Sequence, residues 1–365
     1  MRTLLSFTAI LFPAFLYLSF RLVHAWYDLC LLALTFLLLL TFPFKKVHKA
    51  QLHLIYFSMG VLSYLTIYTL LRDLVGLVSG WYAPKGSVWL LSALSLCYGL
   101  WNALRGPRLK KITLPYPDLP EELDGFKIAQ ISDLHVGPTI GRKYVEKTVD
   151  LINSLAPDMI AMTGDIGDGP VKAFRDDIGP LARLRPKLGT FYVPGNHEYY
   201  WGINEWLGVM NNLGAVVLVN RGKIIYHNGK QILVGGIPDP VATLIPDPAT
   251  VLEAATESDM KILLAHRPGF SKVAAELGYD LQLSGHTHGG QFFPWTVAVR
   301  FFHEVTQGLM KTGKMWLYVS PGTGSWGPLL RLGTTPEVSL LTLKKLAKGN
   351  FDRKVHVVES SHGFL

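Results

Sequence analysis

Cysteine is nearly absent. The 365 residues hold two, Cys30 and Cys97, both inside apolar runs, which argues against a disulfide framework and against a zinc site built on thiolates. Any metal must therefore be held by His, Asp and Asn. Charge is scarce in the first part of the chain: up to about residue 105 the sequence runs through Leu, Phe, Tyr and Trp with few ionisable side chains. Hydrophobic residues make up 49% of the whole, so this asymmetry divides the chain in two. The net charge of +8 raises the question of nucleic acid. Much of the excess flanks the apolar runs, however, where anionic lipid is the natural counterpart, and no stable nucleic-acid partner is expected.

A helix needs about 20 apolar residues to cross the hydrocarbon core of a bilayer. Four stretches come near that length, 4–20, 25–44, 51–71 and 87–104, with Trp26, Tyr27, Trp81, Tyr82, Trp89 and Trp101 close to their ends, as interfacial aromatics are. A signal peptide over residues 1–25 is the rival reading, since Val23 and Ala25 suit a cleavage site; its apolar run is long for that, and three more follow. With four spans, Arg2, Lys45, Lys46, Lys49, Arg105, Arg108, Lys110 and Lys111 share one side, against Arg21, Arg72 and Lys85 on the other. The positive-inside rule then predicts a multi-pass protein of the cell membrane with its soluble part in the cytoplasm. The expected organisation is a transmembrane region 1–104, a basic linker 105–119, a soluble domain 120–345 and a C-terminal tail 346–365.

The soluble part repeats one pattern, a short apolar strand running into a polar cluster. The clusters are Asp133-Leu134-His135, Gly164-Asp165, Gly195-Asn196-His197-Glu198, Ala265-His266 and Gly285-His286-Thr287-His288. Helix-like segments separate several of the strands, which argues for an α/β or mixed sheet. Ligand sites in such sheets lie where strand ends meet loops, so the five clusters are expected to converge. In Asp133-Leu134-His135 an extended backbone would put both outer side chains on one face, with Leu134 in the core. Glycine before Asp165, Asn196 and His286 removes bulk at sharp turns. Taken singly, each cluster is an ordinary turn or strand end; five of twelve histidines falling in them is what distinguishes the set. His24, His48, His53, His227, His303, His356 and His362 lack such neighbours.

These blocks, in this order, resemble the calcineurin-like metallophosphoesterases over roughly residues 120–345. The runs 131–135, 285–291 and Ser320-Pro321-Gly322-Thr323-Gly324 resemble the membrane-associated bacterial branch typified by YkuE and YaeI. The resemblance implies a four-layer α/β sandwich of two mixed sheets flanked by helices. It implies two divalent ions (Mn, Fe or Zn), one held by Asp133, His135 and His288, the other by Asn196, His266 and His286, with Asp165 bridging. His197 is implied as the catalytic non-ligand residue and, with Asn196, as a contact to substrate phosphate. The implied reaction is hydrolysis of a phosphomonoester or phosphodiester by a hydroxide bridging the metals.

The second block, continuing to Asp168-Gly169-Pro170, lacks the arginine found in Ser/Thr protein phosphatases, which disfavours that substrate class. Asp168 either supports the site or shapes a turn, and Glu198 stands where many relatives have Asp. The apolar stretch 292–302 has two readings, a loop that meets lipid or a buried β-hairpin; Tyr199, Tyr200 and Trp201 are either substrate wall or core. With membrane lipids as neighbours, a lipid or lipid-linked phosphoester is one expected substrate. The alternatives are a metal-dependent nuclease or nucleotide phosphodiesterase and a non-enzymatic membrane scaffold or sensor.

Overall fold

The computed structural model describes residues 2–23, 26–40, 49–253, 257–346 and 357–359, and the chain divides into two compact units. Lys45 and Lys46, parts of the expected span 25–44 and most of the tail lie outside the described residues.

The apolar N-terminal sequence satisfies its backbone hydrogen bonds internally by forming helices: α1 (Arg2–Leu22), α2 (Trp26–Leu40), α3 (Lys49–Ser79) and α4 (Lys85–Leu104). Among the described residues, two are long and apolar enough to cross a membrane, over Gln51–Ser79 and Lys85–Leu104. At about 1.5 Å per residue the first of these stretches extends roughly 44 Å, beyond the roughly 30 Å of a hydrocarbon core. The described residues of α1 and α2 add the apolar stretches Phe12–Leu22 and Asp28–Leu39. Arg21 and Arg72 are not bare charges. Both pair with Asp73, at 2.6 and 2.9 Å, and the Tyr17 hydroxyl donates to the same carboxylate, tying α1 to α3.

Two short segments from later in the sequence, 292–295 and 327–333, belong to this helical unit. Phe292 and Leu330 are buried beside Tyr64, with Ile67, Tyr68 and Leu96 packed around them. The Arg331 amide donates to the Gly99 carbonyl at 2.9 Å, and Asn102 donates its side-chain amide back to the Arg331 carbonyl at 3.0 Å.

Among its described residues the second unit holds thirteen strands: β1 (Arg108–Tyr116), β2 (Lys127–Ile131), β3 (Met159–Met162), β4 (Thr190–Tyr192), β5 (Ala215–Val217), β6 (Arg221–His227), β7 (Lys230–Gly236), β8 (Met260–Leu264), β9 (Leu281–Ser284), β10 (Gly308–Thr312), β11 (Met315–Val319), β12 (Glu337–Lys345) and β13 (Val357–Glu359). One sheet runs β13-β1-β12-β2-β3-β4-β5, the other β10-β11-β9-β8-β7-β6. Both are mixed: β2 to β5 and β7-β8-β9-β11 are parallel, while β12 and β2, β6 and β7, and β10 and β11 pair antiparallel. Residues of both sheets, among them Ile128, Ala161 and Phe191 from one and Val234, Ile262 and Leu283 from the other, form one buried cluster. Every residue of β3, β4 and β9 is buried, as two-sided coverage of parallel strands requires. Helices α5 (Arg142–Ser154), α6 (Val171–Ile178), α7 (Asn196–Trp201) and α8 (Ile203–Asn212) follow β2, β3 and β4; α5 and α8 bury Val145, Val149, Ile152, Trp206 and Met210. The architecture is two mixed sheets flanked by helices.

Two sequence expectations are corrected here. The basic stretch expected to be a linker is, over Arg108–Tyr116, strand β1, paired in parallel with β12 along its whole length. The stretch 292–302 is not a hairpin: it forms a short helix Trp295–Ala298 and a 3-10 turn Val299–Phe301.

Candidate metal centre

All five polar clusters follow the carboxyl ends of parallel strands. Asp133 and His135 come after β2, Asp165 after β3, Asn196 and His197 after β4, His266 after β8, and His286 and His288 after β9. The first three strands belong to one sheet and the last two to the other, so the site lies where the two sheets' edges meet. Gln130 secures that junction from within the core. Its side-chain amide donates to Thr163 Oγ1 and to the Ser284 carbonyl, both at 2.9 Å, linking one sheet to the other beside the ligand loops.

The residues separate into two groups. Potential ligand atoms of Asp133, His135 and His288 lie within 4.8 Å of one another, and so do those of Asp165, His266 and His286. Asn196 joins the second group, its Oδ1 lying 3.2 Å from His266 Nε2. Asp165 Oδ2 stands between the groups, 3.2 Å from His266 Nε2 and 3.8 Å from His135 Nε2. Two donors in the first group, His135 Nε2 and His288 Nε2, face each other at 3.0 Å. All seven expected ligands are thus brought together.

The backbone that achieves this is not the extended one expected from spacing. Asp133, His135, Asp165, His286 and His288 all have φ between 51° and 72°, a left-handed conformation costing ordinary residues about 1–3 kcal/mol and held only where surroundings dictate it. Leu134 is buried as expected, but through consecutive turns rather than alternation. Hydrogen bonds fix the turns: the His286 amide reaches both Asp133 carboxylate oxygens at 3.0 Å, and Ser132 Oγ donates to Oδ2 at 2.5 Å. Glycine is required for contact as well as turning. A Cβ on Gly195 would lie 2.2 Å from Asp165 Oδ1, and one on Gly285 2.1 Å from Asp133 Oδ2. The segment 320–324 backs the first loop, with the Thr323 and Gly324 amides donating to the Ser132 and Asp133 carbonyls.

Electrostatically the centre favours positive charge beside Asp165. Burial works against a charged His266, yet the Asp165 carboxylate outweighs it and pushes His266 up to about 10. Burial likewise acts to raise Asp165, and His266 outweighs it to hold the carboxyl far below the usual range. Burial lifts Asp133 to about 6 and depresses His135 to about 3, so His135 stays neutral with a lone pair to offer. The His266 Nδ1–H donates to the Thr163 carbonyl at 2.7 Å, which orients the ring with Nε2 toward Asn196 and Asp165, as second partners of ligating histidines do. Oriented imidazole nitrogens, carboxylates and an amide oxygen, without thiolate, fit a divalent cation of the Mn, Fe or Zn type.

The same residues are matched by known proteins. The calcineurin-like phosphoesterase family model matches residues 126–290. A metallophosphoesterase of Aquifex aeolicus is 35% identical over 251 residues, 67% of this chain and 93% of its own length. The chain belongs to the calcineurin-like metallophosphoesterase family. Bacillus subtilis YkuE, described as a metallophosphoesterase, is 31% identical over 62% of this chain and 82% of its own length. A transmembrane protein with metallophosphoesterase domain from Danio rerio is 32% identical over 70% of this chain. The match spans 62% of that relative's length.

Several residues of the phosphoesterase site go beyond the sequence reading. Asp168, left open between a turn and a supporting role, has both: its amide donates to the Val136 carbonyl, and its buried carboxylate lies 2.9 Å from His197 Nδ1 and accepts Trp201 Nε1–H at 3.2 Å. Burial opposes charge on His197, but Asp168 prevails and raises it above its ordinary value. Glu198 is fully buried. Its carboxylate accepts the amides of Asp165, Ile166, Gly167 and Gly195 at 2.7–3.2 Å, joining the loops after β3 and β4. Its position three residues into the turn beginning at Gly195, a capping-box spacing, was the available signal. Tyr200 and Trp201 are exposed, and Tyr200 and Trp326 place their rings within 6 Å of His197. His303, without ligand-like neighbours in sequence, has its ring 5.7 Å from that of His286.

Proposed function

We propose that this protein is a membrane-anchored, dinuclear metal-dependent phosphoesterase acting on a lipid or lipid-linked phosphoester from the cytoplasmic side. The observation that carries the dinuclear reading is the position of Asp165 Oδ2, within 3.2 Å of one donor group and 3.8 Å of the other. Asp133, His135 and His288 would hold one cation, Asn196, His266 and His286 the second, and Asp165 both. Bound there, the two cations would supply Lewis-acid activation of water and neutralise phosphoryl oxygens.

The protein's own part is orientation and proton transfer. Asp168 fixes His197 through Nδ1, leaving Nε2 4.0 Å from Asp165 Oδ2, where it can deliver a proton to the departing oxygen of the ester. Asn196 and His197 then contact the phosphate from the same short helix, α7. Supporting a lipid substrate, Phe301 and Phe302 are 83% and 81% exposed, with Val297 half exposed, on the chain that leaves His288. Such a surface is suited to the headgroup layer, and the protein has two helices apolar enough to reach it.

The test is a panel of lipid and soluble phosphoesters, nucleotide diesters included, presented with manganese to the full-length protein in nanodiscs. Asp165→Ala should abolish turnover throughout; wild-type rates on bis-p-nitrophenyl phosphate would sink the dinuclear assignment. Phe301→Ser/Phe302→Ser should slow lipid hydrolysis by tenfold or more while sparing the soluble diester. Equal rates on both would remove the lipid reading.

A further inference from the structure

Arg267 follows His266 directly, and its guanidinium is held in place by a fully buried carboxylate. Nε and Nη2 donate to Asp239 Oδ2 and Oδ1 at 2.7 and 3.2 Å, and Asp239 Oδ1 also accepts the Val241 amide at 2.9 Å. Asp239 is inaccessible, whereas the Arg267 side chain remains 34% exposed. Burying a carboxylate costs several kcal/mol, and a buried ion pair is commonly no more stabilising than well-packed apolar residues of the same volume. The pair is therefore better explained by what it aims than by stability. Nη1 makes no hydrogen bond among the described residues, and Arg267 directly follows His266, whose ring lies 5.0 Å from that of His286, itself 5.7 Å from the ring of His303. Preorganised donors of this kind are the usual means of holding a phosphate oxygen.

The surroundings of His197 differ in chemistry. Around His197 stand Tyr200, Trp201 and Trp326, all more than 40% exposed. The site thus has an aromatic flank beside the proton donor and a cationic flank beside His286.

We propose that Arg267, positioned by Asp239, forms an anion subsite next to His286, and that substrate binds with a negatively charged phosphate oxygen there and its leaving group against the aromatic flank at His197. The inference rests on the phosphoesterase reading of the site and adds a direction to it. The anion is either the third unesterified oxygen of the scissile group, which a phosphomonoester carries and a diester replaces by an ester, or a second phosphate, as in a pyrophosphate-linked ester.

The experiment compares the full-length protein in detergent micelles with Arg267→Met and with Arg267→Met/Asp239→Asn, the double variant leaving no unpaired buried charge. Three substrates are used: p-nitrophenyl phosphate, bis-p-nitrophenyl phosphate and a pyrophosphate diester. Inorganic phosphate binding is measured by calorimetry and metal content by mass spectrometry, both independently of turnover. Both variants should keep their metal and bind phosphate at least tenfold more weakly. KM should rise about as much for the monoester if the anion belongs to the scissile group, or for the pyrophosphate diester if it is a second phosphate, while bis-p-nitrophenyl phosphate changes less than twofold. Unchanged phosphate affinity, or equal losses on all three substrates, would overturn the subsite. Absence of metal-dependent turnover by the wild type would instead count against the catalytic reading, and phosphate binding would still decide the role of Arg267.

Discussion

At His197 the Asp168 carboxylate, 2.9 Å from Nδ1, decides the chemistry. Because Asp168 raises His197 above its ordinary value against the effect of burial, the protonated form persists to higher pH than in a free imidazole. His197→Ala should retain its metal and lose kcat by about 100-fold or more, the scale of general acid–base loss; loss of metal would make His197 a ligand. Asp168→Asn withdraws the stabilising charge, so the fall in kcat on the alkaline side should move to lower pH. A pH profile of the variant superimposing on that of the wild type would show that Asp168 only shapes its turn. The convergence of the polar clusters was legible because each terminates an apolar strand. Their left-handed backbone was not, since the spacing of Asp133 and His135 carries no sign of φ. Asp168 stayed ambiguous because Asp-Gly-Pro is also what a turn demands, and only its distance to His197 separates the readings.

Among the elements, the loops after β3 and β4 share one anchor. Glu198 gathers four amides from both loops, and a buried amide left without a partner costs about 1–3 kcal/mol. Glu198→Ala should destabilise the protein by roughly 3 kcal/mol or more on that scale and weaken metal retention, since Asp165 would lose its support. Thermal melts with and without manganese read both effects, and a variant as stable as the wild type would show that water replaces the carboxylate. Glu198→Gln, keeping one acceptor oxygen, should fall between. Strands β2, β3, β8 and β9 were legible from their apolar runs. Strand β1 was hidden by Arg108, Lys110 and Lys111, although Leu109, Ile112 and Leu114 are buried along it. Its partner β12 lies more than 200 residues later in the chain, and no local pattern announces a pairing of that range.

For the molecule as a whole, sequence composition separated an apolar N-terminal part from the rest, but it does not show where helices end. Helix α3 runs on to Ser79, past the expected span 51–71. Composition also could not reveal that the helical unit recruits 292–295 and 327–333 from the far half of the sequence. A chain begun at Arg105, the natural choice for isolating the second unit, would keep Phe292, Leu330 and Leu332 while losing Tyr64, Ile67, Tyr68 and Leu96 that shelter them. Such a truncation should precipitate or elute as aggregates on gel filtration, and Phe292→Ser/Leu330→Ser should return it to solution; a monodisperse unmodified fragment would contradict this. Scissors and chain topology disagree here: what looks like a detachable N-terminal part is sewn through the sequence of the second unit at two later stitches.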